Sequence, residues 1–61
     1  MRTSKIFDGK VYYLADWVYT RKDADEIAKT FRSFGHSVQI VVNREGDYKA
    51  YFIYHREQLP S

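Results

Sequence analysis

Residues 20–34 read TRKDADEIAKTFRSF, with Gly35 directly after them, and the folding of this stretch decides what the rest of the chain must do. Ala24, Ile27, Ala28, Phe31 and Phe34 recur at helical spacing and form one apolar stripe, while Lys22, Asp25, Glu26, Lys29 and Ser33 fall opposite. Thr20 is a natural N-cap. Asp23, three residues on, can bond back to the cap and meets the positive end of the helix dipole. Lys22 with Glu26 and Asp25 with Lys29 are spaced to pair across one turn. Arg32 brings a cation to the last turn, and Gly35 suits the left-handed position that closes a helix. The two alanines let the helix lie close to a sheet.

Everything outside this helix reads as strand or turn. Lys5–Phe7 is a short strand, Asp8-Gly9 a two-residue turn with both positions at positive φ, and Lys10–Val18 a long return strand. Within that strand Val11, Tyr13, Ala15 and Trp17 alternate with Lys10, Tyr12, Leu14, Asp16 and Val18. Assigning the first set to the helix side avoids burying Lys10 and Asp16, and the turn sets Ile6 opposite Val11. After the helix come a strand at Ser37–Val42, a turn at Asn43–Asp47 with Gly46 in the left-handed position, and a last strand at Tyr48–Tyr54. A register of Val42 opposite Tyr48, Ile40 opposite Ala50 and Val38 opposite Phe52 sets those six residues beneath the helix. The predicted fold is α+β, a two-layer β-β-α-β-β unit. Its four-stranded antiparallel sheet has order 1-2-4-3, with one helix on one face; an order of 1-2-3-4 with a parallel central pair is the alternative.

The chain has 61 residues, enough for one small core, so residues 1–61 form a single domain with ends expected to fray at about 1–4 and 56–61. It has no cysteine, which removes disulfides and thiolate metal sites and is compatible with a reducing cytoplasm. No apolar run is long enough to span a membrane, and the N-terminal residues do not read as a signal peptide. A net charge of +2 permits an acidic partner without requiring one. Aromatic residues make up 18% of the chain, more than so small a core needs, so some rings must be exposed.

On the predicted assignment the uncovered face carries Lys5, Lys10, Tyr12, Leu14, Gln39, Val41, Lys49, Tyr51 and Ile53. Rings interleaved with lysines suit RNA or single-stranded DNA, with bases on the rings and phosphates on the ammonium groups. An ordinary solvated strand face, or a homodimer or other protein contact, would use the same residues. Arg21, Lys22 and Arg44, with Lys49 beside them, are expected to gather where the helix starts, diluted by nearby carboxylates. His36 and His55 are expected close together near Asp8, but without metal-motif spacing. No carboxylate pair is forced into an apolar pocket, no nucleophile has a base beside it, and no glycine-rich loop is present. The reading is therefore of a non-enzymatic binding module without cofactor or metal.

Residues 11–54 also resemble one half of a SPOR-type repeat. The resemblance rests on Thr20, Asp23, Ala24, Ile27, Ala28, Phe31, Gly35 and Val38, in the pattern T-x-x-D-A-x-x-I-A-x-x-F-x-x-x-G-x-x-V. It implies β-α-β-β topology, and in that family the sheet face binds peptidoglycan glycan strands.

Overall fold

The computed structural model describes residues 3–57. Its elements are β1 (Ser4–Phe7), β2 (Lys10–Val18), α1 (Arg21–Ser33), β3 (Ser37–Glu45) and β4 (Tyr48–Arg56). They form one antiparallel sheet in the order β1-β2-β4-β3, the predicted topology. No helix among the described residues is long and apolar enough to cross a membrane. Of the ends expected to fray, residues 1–2 and 58–61 lie outside the described residues. Inside them, the Thr3 carbonyl accepts from the Leu14 N–H at 2.9 Å, and Arg56 belongs to β4.

The helix forms for the reasons its sequence suggests. Thr20 is the N-cap, and its Oγ1 accepts from the Asp23 N–H at 3.2 Å. At the other end the His36 N–H donates to the Phe31 carbonyl at 3.1 Å and the Gly35 N–H to that of Arg32 at 3.0 Å. Gly35 sits at φ 86°, which makes this a Schellman ending. The side-chain pairing differs from expectation: Asp25 accepts from Arg21 at 3.0 Å, one turn before it, on an exposed face. Phe34, read as the end of the apolar stripe, is the helix C-cap and is 75% exposed.

Beneath α1, Ala24 and Ala28 are completely buried against Val38, Tyr51 and Ile53, with Val18, Ile27, Phe31 and Ile40 packed around them. Two of these residues, Tyr51 and Ile53, were expected on the uncovered face. The cause is the β3–β4 turn. It is not the long Asn43–Asp47 loop but a two-residue turn, Gly46-Asp47, closed by Glu45 opposite Tyr48. Gly46 takes φ 61° at the first central position, as a type II′ hairpin requires. Val42 therefore faces Tyr51, and Ile40 faces Ile53, a shift of three residues from the expected register. An odd shift turns every side chain of β4 to the other side. Tyr51, Ile53 and Lys49 go to the helix side, while Ala50 and Phe52 leave it.

A second correction lies in β2. Its pairing with β4 runs Leu14 opposite Tyr54, then Asp16 opposite Ile53, so one extra residue is inserted at Ala15. Such a bulge reverses the alternation beyond it. Val18 therefore packs under the helix, and Trp17 faces outward opposite Phe52. The Asp16 carboxylate accepts from the Trp17 N–H at 2.8 Å, which holds the local backbone.

Before the bulge, Ile6, Val11 and Tyr13 share the helix side as expected, yet they are 72%, 38% and 43% exposed. A helix of 13 residues is about 20 Å long, and nine-residue strands reach about 30 Å. The molecule extends 43 Å along its long axis, so one helix cannot cover the sheet from end to end.

Candidate functional site

The face opposite α1 is concave. Lys5 from one edge strand and Val41 from the other line the same hollow, of about 320 Å³, with Phe52 and Tyr54 between them. Only a curled sheet brings its two edges that near. The hollow shares Asn43 and Phe52 with a larger one of about 700 Å³, lined further by Trp17, Tyr19, Glu45, Tyr48 and Ala50. Together they make one trough along the open face.

Its aromatic end is assembled by the two corrections above. The bulge turns Trp17 outward, and the tight Gly46-Asp47 turn sends Tyr48 and Phe52 to the same side. Tyr19, just past β2, sets its ring edge-on to Trp17 with centroids 5.3 Å apart. Tyr19 and Tyr48 are 61% and 75% exposed, and Trp17 is 46% exposed. Large rings left this open are available for stacking. Asn43 and Glu45 project from β3 beside them and supply an amide and a carboxylate. Tyr19 and Tyr48 also border a further hollow, of about 380 Å³, completed by Asp47 and Lys49, so Lys49 reaches the aromatic end although its strand position belongs to the helix side.

The residues singled out from sequence are divided by this geometry. Lys5 lines the trough, Lys10 lies on the same face opposite Phe7, and Gln39 lies opposite Tyr54 on the open face of β3. Tyr12 is on this face but only 6% exposed: its ring packs edge-on against Phe7 at 5.1 Å, and Phe7 meets Tyr54 at 5.8 Å. These three rings form a second small core that supports the curl. Tyr51 is 8% exposed beneath the helix and cannot meet a ligand. Arg44 and Lys49 oppose each other near the β3–β4 turn, at the end of the sheet where α1 begins with Arg21 and Lys22, as expected; Arg21 is engaged with Asp25. Sequence reasoning missed Trp17, Tyr19, Asn43, Glu45, Tyr48 and Phe52. The signals that could have found them are the Gly-Asp pair at 46–47, a two-residue hairpin signature, and Asp16 inside an otherwise apolar strand.

The two histidines do come together. The Schellman ending folds His36 back over Phe31, with ring centroids 5.6 Å apart. There its Nδ1 lies 3.0 Å from Nδ1 of His55. One ring must donate its Nδ1–H and the other accept through its lone pair, so the bond requires at least one neutral ring. Phe31 covers His55 at 4.7 Å. Burial, and then the neighbouring His36, hold the His55 pKa below its usual 6.5, against a weaker opposing pull from Glu57. Among the described residues no group of three or more metal-ligating side chains converges here or elsewhere.

Comparison of the chain with protein-family models, with curated proteins and with solved structures finds no match. What the chain does must therefore be argued from the trough itself.

Proposed function

We propose that this chain is a small non-catalytic binding module that takes single-stranded nucleic acid, RNA or single-stranded DNA, in the open-face trough. The observation that carries the reading is the set of exposed rings, Trp17, Tyr19 and Tyr48, gathered at one end of a concave face whose other end holds Lys5. Unpaired bases stack on such rings, and lysines meet the phosphates between them. Asn43 and Glu45 lie where base edges would pass, and both can hydrogen-bond there. Glu45 repels phosphate, so the backbone of a bound strand runs toward Lys5 and Lys10 on one side and Lys49 on the other. A cytoplasmic setting belongs to the same proposal, as a place where unpaired RNA is met.

Trp17 is the sole tryptophan, so its fluorescence reports directly on the trough. Short single-stranded oligonucleotides are expected to quench it, with affinity falling as salt rises. Three phosphate contacts give a slope of about −2 in log K against log salt. Replacing Tyr19 and Tyr48 with alanine removes two stacking rings, each worth about 1–3 kcal/mol. Unchanged fluorescence in low salt, or equal affinity in the double variant, would overturn the proposal. The carboxylate among the rings favours a second reading, a glycan stacked on the aromatic end and hydrogen-bonded by Asn43 and Glu45. The same assay with glycan oligomers separates the two, because glycan quenching would be insensitive to salt.

A further inference from the structure

The sheet has two edges, and they are built differently. β1 is four residues long and carries Lys5, the usual way of discouraging a strand from recruiting another. β3 is nine residues long, pairs with β4 in unbroken register, and contains no proline, glycine or lysine. Its middle is Ile40-Val41-Val42. Such an edge is a template for a further strand.

Its outward backbone groups follow from the hairpin. Glu45 and Tyr48 flank the two-residue turn and exchange hydrogen bonds, so alternation along β3 points the N–H and C=O of Val38, Ile40, Val42 and Arg44 away from β4. Among the described residues these four make no backbone bond outside the β3–β4 ladder. We propose that their partner is a second copy of this chain, joined antiparallel through β3 about a two-fold axis at Val41.

The edge is self-complementary in one register. With Val41 opposite Val41 of the second copy, Val38 meets Arg44, and Ile40 meets Val42, so all four outward residues pair. A slide of two residues in either direction leaves Val38 or Arg44 without a mate. In the Val41 register no two like charges are opposed. Gln39 lies against Asn43, and Ser37 against Glu45, on the trough side. Val42, 45% exposed in the single chain, gains the flank of Ile40. Both helices then lie on one side of a continuous sheet and both troughs on the other, side by side.

The chain has no cysteine, so a single introduced thiol is unambiguous. In Val41→Cys the two thiols meet across the axis in a non-hydrogen-bonded pair. Cα atoms there are about 4.5 Å apart, within disulfide range. In Val42→Cys each thiol faces Ile40 of the other copy and is offset from its twin. With oxidised glutathione, Val41→Cys is expected to form a covalent dimer many-fold faster than Val42→Cys. By sedimentation the unmodified chain is a concentration-dependent dimer. Val42→Lys, at an exposed position, is expected to be a monomer with an unchanged circular dichroism spectrum. A chain still monomeric at millimolar concentration, equal crosslinking of the two cysteine variants, or a folded Val42→Lys that remains dimeric would each overturn the proposal. If Val42→Lys fails to fold, the crosslinking comparison decides alone.

Discussion

Ile53 and Phe52 are neighbours in β4 that face opposite sides of the sheet, and truncating each in turn tests which side is the core. Ile53 is completely buried against the helix. Truncating it to alanine loses the transfer free energy of its alkyl groups and leaves a hole beside Ala24 and Ala28, whose methyl groups are too small to fill it. The cost is about 2–5 kcal/mol. A chain of 61 residues has a total stability of about 3–9 kcal/mol, so Ile53→Ala removes a large part of it. Each kcal/mol is worth about 4–8 °C in a domain of this size, which puts the fall in melting temperature at roughly 8 °C or more. Phe52 is only partly buried and lines the trough. Phe52→Ala should cost less than half as much, while weakening whatever the trough binds. Thermal and urea unfolding followed by circular dichroism measures both variants. A Phe52→Ala variant less stable than Ile53→Ala would refute the register, and with it the outward placement of Trp17 and Tyr48.

Other expectations follow from the helix end and the histidines. Gly35→Ala meets no steric obstacle, since nothing lies within 4 Å of the added methyl group, but φ 86° is strained for alanine; a loss of about 1 kcal/mol in urea unfolding is expected. The neutral form of His55 is favoured in the folded state, so its contribution is complete above the unfolded pKa of 6.5 and is lost as pH falls from there through the lower folded value. Melting temperatures recorded from neutral to acid pH should decline in that window, and an increase there would contradict the assignment. In His36→Ala the His55 resonance should titrate at higher pH than in the unmodified chain, because a neighbour that opposes its charging is gone. An unchanged or lower midpoint by NMR would mean that the two rings do not interact in solution.

The features legible in the sequence are those set within a few neighbouring residues. The helix and both of its ends follow from Thr20, the apolar stripe and Gly35, and the first hairpin follows from Asp8-Gly9, which adopt φ values of 52° and 76°. Strand order follows from the most apolar strand taking the middle of the sheet. Face assignment depends on parity, which a single residue reverses, so it turns on two small signals, Gly46-Asp47 and Asp16, and not on the alternation within each strand. Reading the second turn as five residues rather than two buried the wrong half of β4. Missing the extra residue at Ala15 left Trp17 on the wrong side. Both differences bear on the open face: Tyr12 and Tyr51, the rings expected to meet a ligand, are packed, and the exposed rings are Trp17, Tyr19 and Tyr48. Lys5 lies on the open face as expected, and Lys49 borders the adjoining hollow although its strand position is on the helix side. Curl was also out of reach: the contact that spans it, Phe7 on β1 with Tyr54 on β4, joins residues distant in sequence.

The irregularity at Ala15 gives β2 a division of labour. Upstream of it the strand contributes Tyr12 to the small aromatic cluster; downstream it contributes Val18 to the helix-covered core. Because the change of phase lies between them, a substitution at Tyr12 bears on the aromatic cluster and one at Val18 on the seat of the helix, while Trp17 beside Val18 turns to the trough. One continuous strand thus serves two packing sites, and the single extra residue is what lets Val18 anchor the helix while its neighbour Trp17 shapes the concave surface.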